Sequence, residues 1–246
     1  MAGVDGRVRV LYFNSAAEVG GGERYMLSLV DHLDARRYES CFVAPSCGAF
    51  VAELRRRGLD AAIIDTRRLV SPAALVALVR HLRRLRPHLV HTAGARAGFY
   101  GRLAARLAGV PAIVSTVHNS IGAYEVSAAR RAVYRRLDRM TARFAQRIIC
   151  TSRASTVDLI ERGGIPAAKV VTIPTRPEPR VLVPTRPRPA VRAELGVGDD
   201  TVLLFAMGRF TEQKRFADLL DALARLTARD DWRCVVAGDG PLRGAL

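Results

Sequence analysis

The chain has 246 residues, 49% of them hydrophobic, which is enough apolar surface for a packed core and argues against a disordered or fibrous class. Its formal net charge of +16 implies an anionic partner: nucleic acid, an acidic membrane surface or a phosphorylated ligand. The preference for arginine over lysine, with abundant alanine, equally fits a compositional bias of the coding sequence.

In chain order, short apolar runs alternate with longer amphipathic stretches, the pattern of βαβ units on a parallel sheet, so an α/β fold is expected. Strand candidates are RVRVLYFN (7–14), SCFVA (40–44), DAAIID (60–65), HLVHT (88–92), AIVSTV (112–117), RIICT (147–151) and KVVTI (169–173). Helical stretches lie between them at 22–34, 48–57, 71–86, 96–108, 127–145 and 153–162. The stretch 71–86 opens on a cap-like Ser71 followed by Pro72 and stops before Pro87.

The rhythm breaks at PTRPEPRVLVPTRPRPAVR, Pro174 to Arg192, whose prolines and lack of helical periodicity read as a semi-rigid linker. It restarts with TVLLFAMG (201–208, strand), RFADLLDALARLTARD (215–230, helix) and WRCVVAG (232–238, strand). The expected organisation is a first domain at 1–174, a linker at 175–195 and a second domain beginning at 196. Two strands and one helix cannot cover a sheet on both faces, so the second domain is expected to be incomplete at Leu246.

Four cysteines, Cys41, Cys47, Cys150 and Cys234, form no C-x-x-C pair and sit at no metal-ligand spacing with histidine, so reduced structural thiols are expected. No window approaches the roughly 18 continuous apolar residues of a membrane span. The N-terminal apolar run is too short for a signal peptide, and a soluble or peripheral cytoplasmic protein is expected.

Four strand-to-helix turns carry groups suited to anion chemistry. Gly20, Gly21 and Gly22 stand between the first strand and a helix, where backbone amides can approach an anion; a plain turn is the alternative. His118 and Asn119 follow the strand AIVSTV at the sheet edge where open parallel sheets bind ligands. A histidine there can donate to a substrate hydroxyl or meet developing charge, or simply cap the strand end. His91 shares that geometry with a weaker claim, and His32, His81 and His88 are expected to face solvent.

In GRFTEQKR, Arg209 and Lys214 bracket a polar turn after a strand. A planar fork and a compact point charge suit a diphosphate whose charge grows as it leaves, against the alternative of a solvated turn. AGDGPLR repeats the glycine turn with Gly238 and Gly240, and Pro241 takes a likely first helical position, near a nucleotide or in a tight turn only. The stretch 127–147 sets arginines among Val133, Leu137, Met140 and Phe144: a helix for anionic lipid, or an ordinary packed helix with a basic face. With 6% aromatic residues and none interleaving the arginines, nucleic acid is not expected as a partner.

Four stretches in this order, GGGERYMLSLV, ARAGFYGRLAARLAGVPAIVSTVHN, ARFAQRIICTSRASTVDLIERGGIPAAKVVTIP and GRFTEQKRFADLLDALARL…VVAGDGPLR, resemble the family 4 retaining glycosyltransferases of GT-B architecture. The resemblance implies two Rossmann-like domains, the first for the acceptor and the second for the nucleotide-sugar donor. It implies that Gly21 and Gly22 approach the donor diphosphate and that His118 contacts the donor sugar. Arg209 and Lys214 would bind the diphosphate and stabilise the departing nucleotide, with Gly238, Gly240 and Pro241 near the nucleotide. Asn119 and Glu23 would fall on the acceptor side. No metal and no cofactor are implied beyond the nucleotide sugar; the acceptor would be a hydroxyl of a glycan, lipid or small metabolite.

Two departures stand out. Thr175 and Arg176 stand where that family usually has Asn-Gly followed by an acid after Ile-Pro, and its E-x7-E segment is not found before Leu246. Little activity is therefore expected of this chain by itself. The main rival reading is a non-catalytic module that binds an acceptor or partner; a nucleotide-dependent oxidoreductase or epimerase is more remote, because no complete dinucleotide fingerprint appears.

Overall fold

The computed structural model describes residues 6–15, 18–119, 122, 126–176, 182–226 and 231–246. The chain divides into two compact units, Met1–Arg176 and Pro177–Leu246, each described by itself.

The first unit contains β1 (Val8–Asn14), α1 (Gly21–Asp31), β2 (Tyr38–Ala44), α2 (Ala49–Arg56), β3 (Ala61–Ile63), α3 (Pro72–Leu85), β4 (Leu89–Ala93) and α4 (Ala95–Ala108). It continues with β5 (Ala112–Val117), α5 (Ala128–Ala142), β6 (Arg147–Cys150), α6 (Arg153–Glu161) and β7 (Val170–Thr172). The seven strands are all parallel in the order β3-β2-β1-β4-β5-β6-β7. The order reverses between β1 and β4, which opens a crevice outside their carboxyl ends; open α/β sheets bind ligands at such a switch point.

Alternation along β1 makes this a three-layer unit. Leu11 and Phe13 point to one side and pack with Leu78 and Leu82 of α3 and Tyr100 and Ala104 of α4. Val10 and Tyr12 point to the other and pack with Met26 and Leu27 of α1 and Phe50 and Leu54 of α2. Each such large side chain contributes roughly 1.5–3 kcal/mol on burial. Gly101 lets α4 lie close on the sheet: a Cβ there would collide with Thr92 Cγ2 and come within 3.0 Å of Phe13 Cδ1.

The helix ends follow local chemistry. Ser71 caps α3 by accepting from the Ala74 N–H at 3.2 Å, with Pro72 at the first position. A buried ion pair ties α4 to α5, Arg102 to Asp138, with the Arg102 Nε–H also donating to the Gly98 carbonyl at 2.8 Å. The arginine run Arg55–Arg57 meets carboxylates: Arg55 pairs with Asp60, Arg56 with Glu53, and Arg57 with Glu53 and Asp31.

The second unit has α7 (Arg188–Glu194), the parallel pair β8 (Val202–Met207) and β9 (Trp232–Ala237), and between them α8 (Phe216–Ala224). The helix α7 corrects the reading of Pro174–Arg192 as helix-free. Pro187 is its N-cap and Pro189 lies in its first turn, where a missing N–H goes unmissed because those amides have no intrahelical acceptor. Residues 177–181 of the expected linker and 227–230 of the expected helix lie outside the described residues.

Two histidines also differ from expectation. His88 is half-buried and its Nδ1 accepts from the Arg9 N–H at 2.9 Å, and His81 is half-buried on α3, where burial pushes its pKa down. His32 is exposed, as expected. All four cysteines are free; Cys150 is buried and Cys47 exposed. Among the described residues no helix is long and apolar enough to cross a membrane.

Candidate functional site

At the carboxyl end of β1, the Asn14 side chain donates to Glu23 Oε1 at 2.6 Å, and the Gly20 N–H donates to Glu23 Oε2 at 2.9 Å. Glu23 is the third residue of α1, so its carboxylate reaches back to the N-cap amide and closes the glycine turn; Gly20, without a side chain, supplies no reciprocal bond. Both Glu23 oxygens are thus committed inside the fold, and its side chain is buried.

His118 stands just beyond β5 and leans over this turn. A Cβ at Gly22 would lie 3.2 Å from its Cδ2 and 3.5 Å from its Nε2, so only a glycine leaves the imidazole room there without a shift. At Gly21 a Cβ would meet nothing. The Tyr25 ring, one turn along the same helix face, packs edge-on to the imidazole at 4.9 Å between centroids and 72° between planes. His118 Nε2 is shielded from solvent and has no hydrogen-bond partner among the described residues. Burial lowers the His118 pKa, opposed by the Glu23 carboxylate, so the ring is neutral near pH 7. Asn119, next in the chain, is exposed.

Beneath, His91 is buried on β4 and shares a 2.7 Å hydrogen bond between Nε2 and Thr116 Oγ1. Burial first, then the neighbouring His118, pushes its pKa down to about 4. His91 is therefore a buried support of the site floor. The sign follows from the shift: unfolded His91 takes a proton near 6.5 while the folded form resists until about 4. Its contribution to stability is full above pH 6.5 and is lost as pH falls towards 4, by about 3 kcal/mol over that window. Urea unfolding at pH 7.5 and 4.5 should show this loss in the parent and a flatter dependence in His91→Gln; equal slopes would rule the assignment out.

In the second unit, Arg209 and Lys214 follow β8 around a short 3-10 turn, Glu212–Lys214, and both side chains are exposed. Neither forms a side-chain hydrogen bond or ion pair among the described residues. The turn is held from below. The Gly208 N–H donates to Ala237 O at 3.0 Å and the Phe210 N–H to Asp239 O at 2.8 Å, joining the loops after β8 and β9. Phe210 and Phe216 stack edge-to-face at 4.9 Å under the turn. Arg215 takes a left-handed conformation (φ 52°) to start α8.

Gly238 and Gly240 are packing requirements here. A Cβ at Gly238 would collide with the Gly208 carbonyl, and one at Gly240 (φ 156°) would come within 2.5 Å of Phe210 O. Pro241 opens a hydrogen-bonded turn through Arg243, not a regular helix. Among the described residues no group of three or more histidine, cysteine or acidic side chains is placed to hold a metal ion.

His118 and the glycine turn stand out in the sequence, while Tyr25, which packs on the imidazole, Asn14, which holds Glu23, and Thr116, which holds His91, do not. Tyr25 was within reach of sequence reasoning, since it lies three residues after Gly22 on one helix face.

A family model described as Glycosyltransferase Family 4 matches residues 19–175, well over half of the chain. The chain belongs to glycosyltransferase family 4. An Escherichia coli relative, a UDP-Gal:alpha-D-GlcNAc-diphosphoundecaprenol alpha-1,3-galactosyltransferase, is 27% identical over 177 residues, 70% of this chain and 46% of that protein. Among solved structures, the Anabaena protein HepE in complex with UDP-glucose superposes with a TM-score of 0.74 at 19% identity, covering 95% of this chain and 61% of that one. Sucrose-phosphate synthase from Thermosynechococcus elongatus gives a TM-score of 0.70 at 16% identity, covering 94% and 62%. The chain thus spans about half the length of the curated relative it matches. The architecture is of the α/β, GT-B type, with Rossmann-like parallel sheets in both units.

Proposed function

We propose that the protein takes part in transferring a hexose from a UDP-sugar to a hydroxyl of a lipid-linked sugar acceptor, with retention of configuration. The observation that carries the reading is the family match across 19–175, within which His118 is fitted against the glycine turn at the switch point of the sheet. The galactosyltransferase relative and the UDP-bound HepE structures support galactose or glucose on UDP as the donor.

In this reading His118, neutral and with an unpartnered Nε2, donates to the donor sugar as charge develops. Gly21 and Gly22 leave space and amides for the diphosphate, and Asn119 reaches the acceptor. Glu23 acts from the acceptor side only by holding the turn. Arg209 and Lys214 hold the diphosphate from two sides and stabilise the leaving nucleotide; Gly238, Gly240 and Pro241 shape the loop beside it. The chemistry required of these residues is positioning and electrostatic stabilisation of the leaving group.

Labelled UDP-galactose and UDP-glucose, each offered with a GlcNAc-diphospho-lipid acceptor, test the proposal. Transfer of one sugar at a low rate, with the anomeric configuration kept, is expected, since little activity is expected of this chain by itself; release of free hexose only, or an inverted product, would count against it.

A peripheral contact with anionic lipid on the cytoplasmic side belongs to the same reading. On α5, Val133 and Met140 are exposed among Arg135, Arg136 and Arg139, which suits an interfacial helix. Co-sedimentation with anionic vesicles should be lost in Arg136→Glu/Arg139→Glu; undiminished co-sedimentation would refute the contact.

A further inference from the structure

Several arginines of the first unit are matched by carboxylates, such as Arg9 by Glu39, Arg102 by Asp138 and Arg162 by Asp158. At the carboxyl ends of β3 and β4, Arg67, Arg68 and Arg96 outnumber their carboxylates, with Asp65 pairing only Arg67. Arg96, in the first turn of α4, is half-buried, and its guanidinium donates to two backbone carbonyls, Arg67 O at 2.7 Å and Ser15 O at 3.1 Å. Carbonyls satisfy its N–H groups but leave its charge uncompensated. The Tyr100 hydroxyl donates to Arg68 O at 3.1 Å. Two bonds thus fasten the backbone of residues 67–68 to α4, while the Arg67 and Arg68 side chains stay exposed.

Arg67 keeps a two-pronged contact with Asp65, at 3.0 and 2.8 Å. Arg68 forms no side-chain hydrogen bond or ion pair among the described residues. Three guanidinium groups therefore share one carboxylate on a loop whose backbone is already ordered. The loop is wired to the His118 corner: Ser15, held by Arg96, donates its N–H to Asn14 Oδ1 at 2.6 Å, and Asn14 in turn binds Glu23 beside the glycine turn. All of this lies within one unit, along the sheet edge where the strand order reverses.

We infer that Arg67, Arg68 and Arg96 form an acceptor-side subsite for a diphosphate ester. Arg68 presents an open fork, Arg67 beside it is paired with Asp65, and Arg96 stands behind them, so three guanidinium groups set against one carboxylate leave a net positive charge suited to an anion with two charged centres. An acceptor sugar reached by Asn119 would rest its own diphosphate linkage on this loop. The inference builds on the acceptor class proposed above, and it assigns the diphosphate recognition to residues distinct from Arg209 and Lys214.

The test is calorimetric titration with two probes, UDP and a GlcNAc-diphosphate bearing a short prenyl chain, on the parent and two double variants. Arg67→Gln/Arg68→Gln should weaken the prenyl probe about tenfold or more, the scale of a lost charge-assisted contact, and leave UDP unchanged. Arg209→Gln/Lys214→Gln should do the reverse. An unchanged melting temperature is expected for the first variant because both side chains are exposed. Prenyl-probe affinity that survives Arg67→Gln/Arg68→Gln, or falls equally for UDP, would overturn the subsite.

If the parent binds UDP but not the prenyl probe, the acceptor class is wrong and the subsite falls with it, while the donor reading stands. Inorganic pyrophosphate and prenyl diphosphate without sugar, as further arms, separate recognition of the diphosphate alone from recognition of the lipid-linked sugar. Dependence on Arg67 and Arg68 for the sugar-bearing prenyl probe, with UDP binding unchanged, supports the subsite; the pyrophosphate and prenyl diphosphate arms then show which part of that probe the two arginines recognise.

Discussion

Alanine at Gly22 is expected to cut hexose transfer about tenfold while leaving the protein as stable as before, or slightly more so. The added Cβ would lie 3.2 Å from His118 Cδ2, tighter than ordinary contact, so the imidazole must give way by a few tenths of an ångström. That ring also packs on Tyr25, and among the described residues no hydrogen bond re-centres its Nε2, so its position rests on shape. Glycine is helical at this position without a positive φ, and Gly→Ala there removes unfolded-state freedom, which favours the folded state by a few tenths to about 1 kcal/mol. Lost rate with undiminished melting temperature is the signature; unchanged rate would show that His118 does not need its place. His118→Ala should cost about a hundredfold, the scale of a lost transition-state donor.

Removing the Asp138 carboxylate is expected to have the largest effect on stability, about 3–5 kcal/mol for Asp138→Ala, because it strands a buried guanidinium. Arg102 is 2% exposed and Asp138 9%, and the pair joins α4 to α5 across the layer that covers β4 and β5. Replacing both partners with apolar residues, Arg102→Met/Asp138→Leu, should restore most of the loss, since no charge is then left unpaired. Urea unfolding followed by circular dichroism measures both. A loss below about 1 kcal/mol for Asp138→Ala would mean that Arg102 reaches water on its own, as surface pairs do.

Much of the fold could be read from the chain because burial of a parallel sheet leaves a local trace. Strands such as Val8–Asn14 and Ala112–Val117 are short apolar runs, and helices such as Pro72–Leu85 carry their caps in sequence. The helix Arg188–Glu194 left a misleading trace: prolines that break a helix interior are harmless at its start, and composition does not say which applies. His88 was misjudged for a related reason. Its environment is set by the Arg9 backbone, far away in sequence and adjacent only once β1 and β4 pair.

The site was legible in its landmarks and not in its contacts. His118 could be placed at a strand end, and Gly20–Gly22 at a helix start, from local pattern alone. That Gly22 leaves room for that particular imidazole depends on the order of the strands, which periodicity does not encode. Arg67, Arg68 and Arg96 were lost among many arginines. What sets them apart is the backbone carbonyls that Arg96 holds in place of carboxylates, and a sequence does not display that.

In the proposed reading, the exposed pair Arg209 and Lys214 holds the diphosphate of a UDP-sugar. Titration of UDP into the parent and Lys214→Ala tests it most directly. Saturable binding by the parent, weakened about tenfold or more in Lys214→Ala at an unchanged melting temperature, is the predicted result. Equal affinity of the two proteins for UDP, or no binding by either, would contradict the claim.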